Sequence, residues 1–71
     1  MNDYMLLDRC LQDCKYYLGN GNRQAKYLWA LEEKAHIEKM YELWDGFPAD
    51  AKPEWLSREE ITEYAKQMGV E

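Results

Sequence analysis

Glu33 and His36 stand three residues apart in "LEEKAHIEKM", a stretch of helical apolar spacing, so both project from neighbouring points on one helix. Glu-x-x-His is the pair with which carboxylate-bridged di-iron bundles hold their metal, but such a site needs two of these motifs and two further inward carboxylates. This chain has one histidine. A homodimer would have to supply the second copy, and the first helix offers no carboxylate at its centre. The expectation for His36 is therefore a half-buried ring hydrogen-bonded to Glu33 or to a backbone carbonyl. A metal-dependent or enzymatic protein using Glu33 and His36 is the alternative.

The other reactive groups point the same way. Cys10 and Cys14 lie one helical turn apart, where a disulfide between them would be badly strained, and a zinc site needs four ligands. They are expected as reduced core thiols, small hydrophobes of a reducing compartment. "GNGNR" at 19–23 has the glycines of a phosphate-cradling loop, yet it follows a helix rather than a strand and lacks the Lys-Ser/Thr ending of a P-loop. A turn with Asn and Gly at positive φ explains it better. Ser57 is required as a helix cap and Thr62 stands alone among charged residues, so no nucleophile has a base beside it. No catalytic residue, metal ligand or cofactor-binding residue is assigned, and no cofactor is expected.

The elements that carry these residues can be read from periodicity. From Asp3 to Leu18, the residues Tyr4, Leu7, Cys10, Leu11, Cys14, Tyr17 and Leu18 fall on one face of a helix, with Asp8, Arg9, Gln12, Asp13 and Lys15 on the other. Gly19 is expected to end it in the left-handed conformation. Further on, Trp29, His36, Ile37, Met40, Leu43 and Trp44 share one arc, whereas Leu28, Leu31 and Ala35 project to nearly the opposite side. One straight helix would need partners on two faces. The regular helix is thus expected to begin near Leu31 or Glu32, and residues 24–30 to form a separate turn or short helix folded back on the core. "DGFP" ends the second helix, because Pro48 bars its continuation.

Residues 47–56 hold both prolines and have no periodicity, but Phe47 and Trp55 are expected to pin the two ends. "LSREEI" then gives the most specific local signal in the chain. Ser57 is an N-cap, Glu60 completes a capping box, and Leu56 against Ile61 forms a hydrophobic staple. The helix that follows buries Ile61, Tyr64, Ala65 and Met68 and stops at Gly69. The expectation is an all-α fold: a small three-helix bundle, with helices near 3–18, 31–45 and 57–68 and an ordered Pro- and Trp-containing connection before the last. It makes one helical domain over residues 1–71.

Charge and size limit what such a bundle does. The formal charge is −5, with three acids against three bases over residues 1–23 and the excess acid in the later two thirds. Without a basic patch, nucleic-acid binding loses its usual driving force, and the acidity is too modest and too mixed with Lys and Arg for a mimic of a phosphate backbone. No apolar run approaches the length of about 18 residues that spans a membrane, and the start "MNDYMLLDRCLQD" carries acids where a signal peptide needs bases. A soluble, cytoplasmic protein is expected. A chain of 71 residues buries only about 60% of its unfolded surface, so the aromatic 14% of the sequence is read as core material. Trp29, Trp44, Phe47, Tyr4, Tyr17 and Tyr64 take core-facing positions, and Trp55 is expected as a plug where the 47–56 connection crosses the helices. Its alternative is exposure on a partner surface with Tyr16, Tyr27 and Tyr41, which lie off the main stripes.

The block "LWALEEKAHIEKMYELWDGFPADAKPEWLSREEITEYAKQM", with "CLQDCKYYLGNGNR" before it, resembles the eleventh type of large polyvalent protein-associated domain. The resemblance covers about Tyr4 to Met68 and is carried by "KAHIEKM" at 34–40, "ELW" at 42–44, Pro48 after Phe47, and "PEWL" at 53–56. Where members often carry a Thr-Trp pair, this chain has Ser57 and Arg58, which keeps the cap and drops an aromatic. The resemblance implies an accessory piece of proteins encoded on phages and conjugative elements of bacteria, with no catalytic residues to carry over. The leading expectation is a non-enzymatic protein-interaction module of such an element, with an unidentified protein partner and a binding face of aromatics and acids on the second and third helices. A purely structural spacer is a third reading.

Overall fold

Helix α1 (Asp3–Leu18) starts where Asn2 accepts the Met5 N–H at 2.8 Å, satisfying one of the free donors of the first turn. The computed structural model describes residues 2–71, and within them α1, α2 (Glu33–Gly46) and α3 (Arg58–Gln67) run up, down and up, with no strand. The directions follow from the contacts. Tyr4, at the start of α1, stacks on Phe47 beyond the end of α2 at 4.2 Å, whereas Tyr17 near the end of α1 reaches Glu33 at the start of α2. In the same way Tyr41 meets Thr62 and Asp45 meets Arg58, so α3 returns antiparallel to α2.

The core is the sum of three stripes. Leu7, Cys10, Leu11, Cys14 and Tyr17 come from α1, His36, Ile37, Met40 and Leu43 from α2, and Ile61 and Ala65 from α3. Leu28, Phe47, Leu56 and Met68 close it from the connections and the last helix end. The α2 stripe lies between the other two.

Residues 24–31 form two short 3-10 turns, Ala25–Tyr27 and Trp29–Leu31, rather than an extension of α2. Ala30 and Leu31 take successive left-handed conformations (φ 53° and 59°), which no helix accommodates, so α2 begins at Glu33 and not at residue 31. This break also reverses the expected burial. Leu28 enters the core at 5% exposure, and Trp29, expected inside, is 43% exposed. Tyr4 is likewise partly exposed, covering Phe47 instead of entering the core.

The turn after α1 also differs from expectation. Gly19 has φ −110°, and the left-handed residues are Asn22 and Arg23. Gly21 is required for another reason: a Cβ there would lie 2.8 Å from the Tyr16 carbonyl oxygen. At the far end of α2, Phe47 precedes Pro48 and is forced into extended backbone (φ −76°, ψ 141°), which ends the helix.

The connection to α3 is ordered as expected, and Phe47 pins its first end as expected, but Trp55 does not pin the second. Phe47, Pro53 and Leu56 are buried, and Trp55 is 43% exposed. The indole that serves this corner belongs to Trp44, which donates its Nε1–H to the Leu56 carbonyl at 2.9 Å. Lys52 lies over that ring at 4.4 Å and donates to the Trp44 carbonyl at 2.8 Å. With the seat filled, Trp55 turns outward, and the expected plug is corrected to an exposed ring. The capping box of Ser57 and Glu60 is present in both directions, and Leu56 and Ile61 are both fully buried as a staple requires. At its other end α3 closes with Gly69 at φ 80°, where Val70 N–H reaches the Ala65 carbonyl and Gly69 N–H that of Lys66. These are the two bonds of a Schellman motif.

Candidate interaction surface

His36 is fully buried, not half-buried, and both ring nitrogens are used. Nδ1 accepts the Trp29 backbone N–H at 2.8 Å, and Nε2–H donates to the Cys10 carbonyl at 2.9 Å. The ring therefore ties α1, α2 and the second 3-10 turn together. Burial pushes its pKa below the ordinary histidine value, opposed by the bond to Cys10 and by the Asp13 charge. A neutral imidazole with both nitrogens occupied has no lone pair left for a metal or a substrate proton.

Glu33 does not join it. Its carboxylate accepts the Tyr17 hydroxyl at 2.7 Å, a bond that lowers the Glu33 pKa. The Tyr17 hydroxyl is raised by its burial and then by that same carboxylate. Among the described residues no three His, Cys, Asp or Glu side chains come together to hold a metal ion. Cys10 and Cys14 are free and buried, and burial lifts their pKa to about 11 and about 12. Such thiols are protonated at neutral pH and chemically quiet. The Cys14 S–H points at the Met40 sulfur, 3.4 Å away.

Most N–H groups of the glycine turn are spent within the protein. Gly21 donates to the Tyr16 carbonyl at 2.7 Å and Arg23 to that of Tyr17 at 2.8 Å, while Asn22 and Gln24 donate to Gly19 and Gly21. No anion cradle results.

What the fold leaves outside is an apolar edge. Tyr16 on α1 meets Tyr27 of the first 3-10 turn edge to face, with centroids 4.8 Å apart. Trp29 and Leu31 follow on the second turn, and Leu31, at 68%, is the most exposed large apolar residue of the described chain. Beside them lies an open groove of about 520 Å³ between α1 and the turns, with Leu6, Arg9, Asp13, Tyr27, Leu28 and Trp29 among its walls.

The four residues expected to share a surface are divided. Tyr16 and Tyr27 touch. Tyr41 is half-buried on the seam of α2 and α3, where its hydroxyl pairs with Thr62 at 2.7 Å and Arg58 covers its ring at 4.4 Å. Arg58, the residue that replaces an aromatic in the resemblance, thus uses its guanidinium to cap a ring and to pair with Asp45 at 3.1 Å. Trp55 is exposed, but in the connection before α3, near the end of the bundle opposite Tyr16. Leu31 already lay opposite the core arc in the sequence, but Trp29 carried no outward signal, because two successive left-handed residues of types Ala and Leu are not foretold by side-chain chemistry.

No helix of the described residues is long and apolar enough to cross a membrane. No curated protein and no solved structure matches the chain. The family model of large polyvalent protein-associated domain 11 matches residues 1–68, and the chain belongs to that family.

Proposed function

We propose that this member of the large polyvalent protein-associated domain 11 family is a non-enzymatic protein-interaction module of a bacterial mobile genetic element, working in the cytoplasm. The observation that carries the reading is the exposed edge on which Tyr16 meets Tyr27, Tyr27 and Trp29 line one groove, and Leu31 follows on the same turn. Single exposed rings are ordinary on a protein surface, whereas a contiguous group of them marks an interaction site. Aromatic side chains are also the commonest hot spots of protein interfaces. The non-enzymatic part is supported by His36 and Glu33, whose polar atoms are engaged inside the fold and separately from each other. The binding face lies on α1 and the two 3-10 turns, not on the second and third helices.

The test is a tagged pulldown with crosslinking and mass spectrometry from a bacterium carrying such an element. A protein captured by the native chain and by Trp55→Ala, but lost with Trp29→Ala or Leu31→Ser, is the expected result. Capture that survives both edge variants, or no capture in repeated crosslinked samples, rejects the reading.

A further inference from the structure

The groove beside the apolar edge differs in charge from the rest of the molecule. Residues 1–32 balance four acids with four bases, so the whole formal charge of −5 lies in residues 33–71. Around the groove three cations stand against one lining carboxylate, Asp13. Arg9 lines it, Lys26 lines it and stands 5.3 Å over the Tyr27 ring, and Lys39 stands 5.1 Å over the Trp29 ring. Arg9, exposed, pairs with the partly buried Asp13 at 3.6 Å, and the partly buried Lys39 pairs with the exposed Glu42 at 3.2 Å, while Lys26 has no ion pair among the described residues. Ion pairs with one partner open to solvent hold their charges only weakly.

The walls are also fixed in place. Ala30 and Leu31 are held in sparsely populated backbone conformations, and the Trp29 N–H is tied to the buried His36 ring. Strain that surrounding structure over-determines collects at ligand clamps and other functional sites. Here it pre-sets an indole and an aliphatic side chain in the outward position, which lowers the ordering cost of binding.

We propose that this groove receives a short acidic peptide segment of a partner protein, which lays an aliphatic or aromatic side chain against Trp29 and Leu28 while flanking carboxylates meet Arg9, Lys26 and Lys39. The inference rests on the interaction-module reading and adds the chemistry of the partner. A random twelve-residue peptide library selected against the intact chain tests it, the enriched peptide then being synthesised and titrated into isotope-labelled protein. Enriched sequences should carry Asp or Glu on both sides of an apolar residue, and amide shifts should concentrate in residues 6–13 and 26–31. Trp29→Ala should weaken binding by about 30-fold or more, the loss typical of an aromatic hot spot. Lys26→Glu should weaken it by about tenfold and turn selection toward Lys- or Arg-containing peptides. Both side chains are exposed, so a circular dichroism melt confirms that the variants fold.

Neutral or basic winners, or shifts centred on Trp55 and α3, would overturn the inference and leave the interaction reading standing. An empty selection overturns the inference, and the pulldown then decides the broader reading separately. The chain's own exposed Glu54-Trp55 has the stated chemistry, so concentration-dependent self-association abolished by Trp55→Ala would replace the peptide with a second copy and overturn the proposal as well.

Discussion

His36 is the residue on which three elements converge, and its chemistry has a measurable sign. Replacing it by Gln leaves the Trp29 N–H or the Cys10 carbonyl without its partner, and a buried unsatisfied group costs about 1–3 kcal/mol, readable from urea unfolding. The folded ring resists protonation, while the unfolded ring takes a proton near its ordinary value of 6.5. Its contribution is therefore present above that value and is lost as pH falls below it toward the depressed folded value. Between about pH 6.5 and pH 5, above the usual carboxylate range, the native chain should lose stability and His36→Gln should stay nearly flat. A native profile as flat as the variant's would show that the ring titrates normally. Trp55 gives the opposite case. A buried tryptophan truncated to alanine costs about 3–5 kcal/mol, but at 43% exposure Trp55→Ala should cost about 1 kcal/mol or less, and a large fall in melting temperature would restore the plug.

Among the elements, the ends of α3 are the best specified by local chemistry. Ser57→Ala removes one half of a capping box and should cost about 1 kcal/mol. Gly69→Ala meets open space but must hold φ 80°, so a loss of about 1 kcal/mol is expected there from backbone conformation alone. Equal melting temperatures for the native chain and both variants would mean that α3 frays at its ends. Both features were legible in the sequence, because Ser-x-x-Glu and a trailing Gly act within one turn of the helix. The three helices were legible too, since Leu7 to Tyr17 and Ile37 to Leu43 keep the helical period with long polar faces opposite. The exposure of Trp29 was not. It depends on Ala30 and Leu31 leaving the helical region, which no local preference of those residue types demands, and which the His36 ring helps to hold from seven residues away. Trp44 and Trp55 show the same limit, for both fit the corner before α3 and only the geometry of the Leu56 carbonyl selects one.

For the whole molecule, the consequence of this topology is that α2 holds the bundle together. It packs on α1 through Tyr17–Glu33, His36–Cys10 and Cys14–Met40, and on α3 through Tyr41–Thr62 and Asp45–Arg58. A direct bond from the α1 side to α3 is Arg23 to the Gln67 carbonyl at 2.7 Å, at the exposed end. Domains are stable by about 0.05–0.15 kcal/mol per residue, which for this length is about 4–11 kcal/mol. Met40 is fully buried, and Met40→Ala removes a side chain whose loss typically costs about 2–5 kcal/mol, a large share of that total. Because the site lies in the middle element, the damage cannot stay local. The variant should melt well below the native chain in a single transition, with ellipticity and tryptophan fluorescence falling together. Amide exchange should accelerate by similar factors in α1 and α3. If α3 kept its protection while α1 exchanged freely, the two flanking helices would be separate cooperative units, and α2 would not be the element through which they share their stability.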